Sequence, residues 1–185
     1  MLAHKPAVLL VDGYNIIGVV PQLKALRDRH GLSESRHALA EALTNYSAYH
    51  DHETELVFDA QYQTHQAKRE SITPHLSIYY TDPGQTADSY IERNCAIFFR
   101  EDIRRFKKRL IVATSDRAQW ITAVGYGAEW MSAHKLANEL GITQQQVQRR
   151  QRPSSAQRRL LGNTLKPQTQ QKLSHLRQQL FQQGQ

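Results

Sequence analysis

Four aspartates follow four apolar runs of the sequence, each at or shortly after the end of its run. Asp12 and Asp59 end the first and second runs, and Asp88 and Asp116 follow the third and fourth. Carboxylates brought together from such distant positions repel one another, which raises the pKa of at least one of them. Mg²⁺ or Mn²⁺ removes this repulsion, because both ions prefer carboxylate oxygens and water. Such a site suits phosphodiester hydrolysis, since the metal lowers the pKa of a bound water.

Each aspartate also has a structural interpretation. An aspartate after a strand often caps the following helix, and this is the alternative for Asp88 or Asp116 taken singly. Asp59 is interpreted as a structural residue, or as one that contacts a metal only through other ligands. The repeated placement of the four side chains favours a shared metal site over four unrelated caps.

Five short runs rich in Val, Ile, Leu and Tyr predict the strands that position these aspartates. This composition is typical of strands that are buried on both faces of a parallel sheet. The runs span residues 7–11, 55–58, 76–80, 110–113 and 128–131. Because ligands bind at the carboxyl edge of such a sheet, we expect the four aspartates to converge there.

Amphipathic segments between these runs predict helices. One helix spans residues 33–50, and a second is capped by Thr86. A third is expected to start near Asp116 and to end before Gly125, and a fourth to run from Ser132 to a stop at Gly141. The alternation of strands and helices predicts an α/β fold with a parallel sheet and right-handed crossovers.

Composition and missing motifs exclude several classes of protein. No apolar run approaches the roughly 20 residues that a membrane helix needs, and the N-terminal residues show no signal-peptide pattern. The single cysteine, Cys95, excludes an internal disulfide and a cysteine-rich zinc site. The Gly-rich phosphate loops, the His-Glu-x-x-His zinc motif and the Gly-x-Ser-x-Gly elbow are absent. These features predict a protein of the reducing cytoplasm that does not associate with membranes.

Four blocks of the sequence resemble those of YacP-like NYN nucleases, in the same order and with similar spacing. They span residues 11–17 (Val-Asp-Gly-Tyr-Asn-Ile-Ile), 57–60 (Val-Phe-Asp-Ala), 86–92 (Thr-Ala-Asp-Ser-Tyr-Ile-Glu) and 112–116 (Val-Ala-Thr-Ser-Asp). The resemblance covers roughly residues 6–140. It implies a PIN-like three-layer α/β/α sandwich around a central, mainly parallel sheet of about five strands. It also implies an endoribonuclease that binds divalent metal, with mRNA on the ribosome as the setting in some bacterial members.

The resemblance assigns catalytic roles to four polar residues, Asp12, Asp88, Asp116 and Asn15. The three aspartates would hold the metal, and Asn15 would orient a water or the Asp12 carboxylate. A turn residue in the left-handed conformation is the alternative for Asn15. Glu92, one helical turn after Asp88, would bind the metal through water, or else belong to a solvated helix face. Ser89 stands where related sequences often carry a second acid.

RNA binding requires positive charge on the same edge as the acids. The candidate contacts follow the first, second and fourth strands and comprise Lys24, Arg27, Lys68, Arg69 and Arg117, together with Ser115 and Tyr14. Tyr14 is a candidate for stacking on an unpaired base, whereas core packing is favoured for Trp120. The basic run over residues 104–109 precedes a strand, so we expect it at the opposite edge, beside a helix C-terminus.

The remaining positive charge is concentrated near the C-terminus. The net charge is +7, and residues 141–185 contain eight Lys or Arg and no Asp or Glu, so residues 1–140 carry −1. We therefore interpret residues 1–140 as the NYN/PIN-like nuclease domain and residues 141–185 as a basic Gln-rich extension, partly helical or flexible. Its single-sign charge indicates an acidic partner such as nucleic acid, or else a solubilising tail. Its arginines include Arg149, Arg150, Arg152, Arg158 and Arg159.

Two other functions compete with the endoribonuclease. A non-catalytic RNA- or ribosome-binding module on the same fold would be indicated by a missing acid, and Asp12, Asp88 and Asp116 are all present. A small-molecule phosphatase with a covalent aspartyl intermediate typically needs a second acid two residues after the first, where this chain has Tyr14. The basic extension also favours a polymeric substrate.

Overall fold

The computed structural model describes residues 6–59 and 68–151 of the chain. The chain divides into two compact units, Met1–Gln146 and Val147–Gln185, and of the second only residues 147–151 are described, in a helix. The strands are β1 (Ala7–Asp12), β2 (Glu53–Phe58), β3 (Lys68–Thr73), β4 (Leu76–Tyr80), β5 (Arg109–Ala113) and β6 (Glu129–Met131). The helices are α1 (Gly13–Val19), α2 (Pro21–His30), α3 (Leu32–His50), α4 (Ala87–Arg100), α5 (Arg117–Tyr126) and α6 (Ala133–Gln151).

The strands form one six-stranded sheet in the order β3-β4-β2-β1-β5-β6. All neighbouring strands are parallel except β3, which runs antiparallel to β4. The chain adds β2 and β4 on one side of β1 and then returns to add β5 and β6 on the other side. The strand order therefore reverses between β1 and β5, and the crevice at such a reversal is where α/β sheets bind ligands.

Helices cover both faces of the sheet, so the predicted three-layer α/β/α architecture is confirmed. On one face Leu9 and Leu56 pack against Leu43 of α3 and Leu136 of α6. On the other face the core includes Val8, Leu10 and Val112 of the strands together with Ile91 and Phe98 of α4. All six residues of β1 are buried, which explains why this strand is a continuous apolar run in the sequence.

The sheet contains one strand that the apolar runs do not predict. The sequence of β3, Lys-Arg-Glu-Ser-Ile-Thr, has one large apolar residue, and all six residues are exposed or half-buried. An edge strand needs no apolar faces, and charged side chains protect its free edge from pairing with other chains. Lys68 and Arg69, expected in a segment after the second strand, therefore begin this additional strand.

The helices differ from the prediction at three places. Helix α5 passes its expected end before Gly125 and reaches Tyr126. Helices α1 and α2 occupy the segment between β1 and α3, where no helix was predicted. The predicted stop at Gly141 is wrong, because α6 continues through it to Gln151. Gly141 does not adopt the positive φ of a terminating glycine, whereas Gly127, with a φ of 108°, ends α5. Among the described helices, none combines the length and the apolar composition that a membrane crossing requires.

Candidate active site at the carboxyl edge of the sheet

The four predicted aspartates meet at the carboxyl edge of the sheet. Asp12 is the last residue of β1, Asp59 follows β2, and Asp88 lies in the first turn of α4. Asp116 follows β5 and is the N-cap of α5, so Asp12 and Asp116 flank the point where the strand order reverses. The charges of Asp88 and Asp59 both act on Asp12, and those of Asp116 and Asp59 act on Asp88. The convergence expected from the strand ends is thus present.

Three of these carboxylates also accept hydrogen bonds from the starts of helices. Asp12 Oδ1 accepts the backbone N–H of Asn15 at 3.1 Å, at the start of α1. Asp116 Oδ1 accepts the backbone N–H of Gln119 at 2.9 Å, at the start of α5. Asp59 Oδ1 accepts the first N–H of α4. Each bond satisfies an N–H group that has no partner within its helix and also fixes the orientation of the carboxylate. The capping interpretation therefore holds for Asp116, and it does not exclude a second role.

Burial and mutual repulsion raise the pKa of two of the acids. The pKa of Asp12, which is 7% exposed, rises to about 6, mainly because burial disfavours the charged form. The hydrogen bond from Asn15 opposes this rise, and the charges of Asp88 and Asp59 add to it. The pKa of Asp88 is raised by burial and then by the charges of Asp116 and Asp59. A nearby cation would reverse these effects by stabilising both ionised carboxylates.

Gln119 acts on two of these acids, and the sequence interpretation missed it. Its side chain is buried at 6% exposure. The amide Nε2 donates to Asp88 Oδ1 at 2.7 Å, and the side chain also favours the charged form of Asp12, whose pKa it lowers. Its Oε1 is buried and has no hydrogen-bond partner among the described residues. The available signal was its position three residues after the N-cap Asp116, where a glutamine is typical of a capping box. Here the side chain turns to the acids instead.

The oxygen ligands at this edge suit a divalent ion that keeps several waters better than an ion held by protein oxygens alone. Within the described parts of the chain, no three or more His, Cys, Asp or Glu side chains lie close enough together to hold a metal ion. Mg²⁺ is usually bound by one or two carboxylates and keeps several waters. A cation of this kind between Asp12 and Asp88 would relieve their repulsion, and the unpartnered Gln119 Oε1 would serve as a neutral oxygen ligand or accept from a bound water.

Asn15 connects the ends of β1 and β5. Its Oδ1 accepts the backbone N–H of Ser115 at 2.7 Å, while its own backbone N–H donates to Asp12. Asn15 lies in α1, and among the described non-glycine residues only Asp51 has a positive φ. The left-handed turn considered for Asn15 is therefore wrong. The hydroxyl of Ser115 accepts the backbone N–H of Ala133 at 3.1 Å, so this side chain helps to hold the start of α6.

Tyr14 belongs to an aromatic cluster with a cation that the sequence interpretation missed. Its ring packs on Phe58 with centroids 4.9 Å apart, and its hydroxyl accepts from Arg36 at 3.5 Å. The Arg36 guanidinium lies 6.0 Å from the ring centroids of both Phe58 and Tyr80, the last residues of β2 and β4. Arg36 thus places positive charge near the carboxyl edge, although it lies near the start of the predicted helix 33–50 and not after a strand.

The predicted basic contacts lie in different environments. Arg117 is exposed as the first residue of α5, directly after Asp116. Lys24 is exposed on α2, and Arg27 forms an ion pair with Asp28 at 2.8 Å on the same helix. Of the predicted cations, Arg117 is therefore the one next to an acid of the site.

Lys68 and Arg69 each bind an acid close to β3. Lys68 pairs with Glu70 at 2.7 Å and is exposed, and in the sheet it lies opposite Tyr80 at the carboxyl end of β4. Arg69 pairs at 2.5 Å with the buried Glu55 in the middle of β2. Arg69 therefore points into a groove of about 390 Å³ beside α4 and away from the aspartates, which corrects its expected place at the acidic edge.

Glu92 is exposed one turn after Asp88 on α4. Together with Asp88 and Gln119 it lines a recess of about 120 Å³. This position allows contact with the acidic edge through water, and it also matches the solvated helix face that was the alternative.

The basic run over residues 104–109 lies at the opposite edge of the sheet, as predicted. Arg104 and Lys108 both pair with Glu53 at the start of β2. Arg105 donates to backbone carbonyls in the last turn of α4, where cations are favoured. In the basic extension, Arg149 and Arg150 lie in the last turn of α6, whereas Arg152, Arg158 and Arg159 lie outside the described residues.

Comparison with known proteins identifies relatives over most of the chain. A family model described as the YacP-like NYN domain matches residues 9–178. The match continues well past residue 140, so it includes most of the Gln-rich extension, which the sequence blocks left outside the resemblance. The chain is 30% identical over 151 residues to the uncharacterized protein YacP of Bacillus subtilis (strain 168), and the alignment covers 82% of the chain and 85% of that protein.

Solved structures of a relative have the same fold. Two crystal structures of Rae1 (YacP) from Bacillus subtilis match this chain. The TM-score is 0.65 for a mutant and 0.66 for the other structure. The mutant is 28% identical and the other 27% identical to this chain. Each comparison covers 92% of this chain, with 99% of the mutant chain and 94% of the other.

Proposed function

Because the chain belongs to the YacP-like NYN domain family, we propose that it is a metal-dependent endoribonuclease that hydrolyses RNA phosphodiester bonds. NYN domains are typically nucleases, which supports the class of reaction. The observation that carries the proposal is the convergence of four aspartates at the carboxyl edge of the sheet, where Gln119 donates to Asp88 and favours the charged form of Asp12. Clustered carboxylates without a cation repel one another and destabilise the fold, but they can bind a divalent ion.

In this proposal Asp12 and Asp88 hold Mg²⁺ or Mn²⁺ directly, and Asp116 and Glu92 hold it through water. The bound ion would supply a water of lowered pKa and stabilise negative charge on the phosphate. The Gln119 amide donates to Asp88 and favours the charged form of Asp12. Asp59 is fixed by the start of α4 and contributes negative charge. Asn15 holds the segment that carries Asp116 against the end of β1 through its bond to Ser115.

The proposed substrate is RNA, bound through its phosphates along the carboxyl edge. Arg117 directly follows Asp116, and Arg36 lies over the last residues of β2 and β4, so both place positive charge at this edge. Lys24 is exposed on α2, and Lys68 lies opposite the last residue of β4. Contacts of this kind give affinity without reading the sequence of the nucleic acid. The family resemblance adds mRNA on the ribosome, in the cytoplasm, as the setting to be tested with this protein.

A second candidate function is a non-catalytic RNA-binding module on the same fold. One observation favours it, namely that no three-ligand metal group is formed among the described residues. The presence of all the acids, two of them with raised pKa values, favours the nuclease. The module would bind RNA equally well with and without a divalent ion.

Incubation of purified protein with mixed RNA in Mn²⁺ tests the proposal. We expect cleavage that EDTA abolishes and that the Asp88→Asn variant lacks, although this variant should still bind RNA. The matched control is Asp28→Asn, which changes an exposed aspartate on α2 and should cut normally. Equal binding by wild type and Asp88→Asn with no cleavage by either, including on ribosome-bound mRNA, would instead identify the binding module.

A further inference from the structure

The chain contains two tryptophans, and they stack on each other beside the acidic edge. Trp120 lies on α5 and Trp130 on the edge strand β6, with ring centroids 5.1 Å apart and ring planes inclined by 27°. Trp130 is 43% exposed and Trp120 is half-buried. Neither ring belongs to the two core clusters of the described residues. Core packing, favoured for Trp120 from the sequence, therefore does not describe this pair.

Hydrogen bonds attach the tryptophan pair to the segment that carries Asp116. The indole Nε1 of Trp130 donates to the backbone carbonyl of Thr114 at 2.8 Å. The hydroxyl of Thr114 in turn accepts the backbone N–H of Asp116 at 3.0 Å. The backbone N–H of Trp120 donates to the Asp116 carbonyl within the first turn of α5. These bonds attach the pair to the segment that carries Asp116, one of the proposed catalytic acids.

We propose that Trp120 and Trp130 form a platform on which an unpaired base of single-stranded RNA stacks while a nearby phosphate lies at the aspartates. Aromatic rings are the usual surfaces for unstacked bases, and stacking tolerates any base sequence. The bond from Trp130 to Thr114 restricts the ring before RNA arrives, which reduces the entropy lost on binding. The exposed Arg117, three residues before Trp120, supplies positive charge for the adjoining phosphate.

The platform gives the enzyme a preference for single strands. Bases within a duplex already stack on their neighbours and present no free face, so they cannot occupy the platform without unpairing. This inference rests on the proposed function for the identity of the ligand, but binding to the platform does not require catalysis. A protein partner would be the other occupant of this face, since Ile121 and Val124 are also exposed on α5.

Intrinsic fluorescence tests the platform directly, because every tryptophan signal of the protein comes from these two rings. The full chain is titrated in EDTA with a short single-stranded RNA of mixed sequence, and separately with the same strand annealed to its complement. We expect quenching by the single strand and much less by the duplex. Similar quenching by both, or none by either, would overturn the inference. A spectrum that changes with protein concentration alone would overturn it in favour of self-association.

Substitutions of Trp130 then measure how much its ring contributes to the affinity for single-stranded RNA. The Trp130→Ala variant should bind the single strand about 5- to 150-fold more weakly, the range expected for loss of one stacked base. Trp130→Phe, which keeps a ring but removes the bond to Thr114, should bind with intermediate affinity, and urea unfolding checks that both variants are folded. Phe106→Ala, at the opposite edge and 71% exposed, is the control and should bind normally. Unchanged affinity in folded Trp130→Ala would refute the platform, and unchanged cleavage by that variant would leave the nuclease proposal standing.

Discussion

Replacing Asp12 with asparagine should stabilise the metal-free protein at neutral pH. Burial of the carboxylate, together with the charges of Asp88 and Asp59, raises its pKa from 3.8 to about 6 against the opposing bond from Asn15. This rise corresponds to ~3 kcal/mol of lost stability when the side chain is ionised. Asparagine carries no charge and caps helices about as well as aspartate. The Asp12→Asn variant therefore removes the penalty and keeps the bond from Asn15.

The difference in unfolding free energy between Asp12→Asn and the wild type should increase with pH. Between pH 3.8 and about 6 the folded wild type binds more protons at Asp12 than the unfolded chain does, so its stability falls as pH rises through this window. Above the window the variant should exceed the wild type by up to ~3 kcal/mol, a net value that already includes the favourable effect of Gln119 on the charged Asp12 carboxylate. Below pH 3.8 both forms carry a neutral side chain and should be about equally stable.

Urea unfolding in EDTA at a series of pH values measures this difference. Asp51→Asn is the matched control, because it changes an exposed carboxylate at a left-handed position that asparagine tolerates, and it should show no comparable gain. Excess Mn²⁺ should stabilise the wild type and have little effect on Asp12→Asn. The reasoning is refuted if Asp12→Asn is less stable than the wild type at pH 7 in EDTA, or if its gain does not change with pH.

Two further predictions concern Gln119 and the first helix. Gln119→Leu removes the amide that donates to Asp88 and favours the charged form of Asp12. Mn²⁺ affinity by calorimetry and the cleavage rate should therefore each fall about 10- to 100-fold. The control Gln145→Leu, on the exposed side of α6, should change neither, and normal Mn²⁺ binding by Gln119→Leu would contradict this role. Gly13→Ala adds a methyl group that clashes with three ring carbons of Phe58, all closer than 3.0 Å. It should lower the unfolding free energy by about 1–3 kcal/mol. Gly18→Ala lies in the same helix, with nothing within 4 Å of its new methyl group, and should raise the unfolding free energy by up to ~1 kcal/mol. If both glycine variants shift stability in the same direction, the clash with Phe58 is not the cause.

The central strands of the parallel sheet could be predicted because they are buried on both faces. Burial requires apolar runs, and β1, β2 and β5 carry them. Strands β4 and β6 are only partly buried, but their shorter apolar runs still predicted them. The aspartates follow from the same argument, since each polar residue at the end of a buried strand must lie at the carboxyl edge. A parallel arrangement then brings residues as distant as Asp12 and Asp116 together without any knowledge of the loops.

Features that depend on three-dimensional packing could not be predicted in this way. Strand β3 is an exposed edge strand with a polar sequence, so its pattern does not differ from that of a loop. The role of Gln119 depends on which side of α5 faces the acids, and local sequence does not determine this. Gly141 resembles a helix stop by residue type, but the chain keeps helical geometry there. Arg69 carries the right charge for RNA, and only the structure shows that its partner is Glu55.

The chemistry of the cleaved ends tests most directly the claim that these aspartates hold a metal for hydrolysis of RNA. Single-stranded RNA is digested with Mn²⁺ in water enriched in oxygen-18, and the new ends are analysed by mass spectrometry. Attack by a metal-held water predicts linear phosphate ends that carry the heavy oxygen, and no product with EDTA or with Asp12→Asn. Cyclic phosphate ends from attack by the ribose 2′-hydroxyl, or cleavage that persists in EDTA, would contradict it.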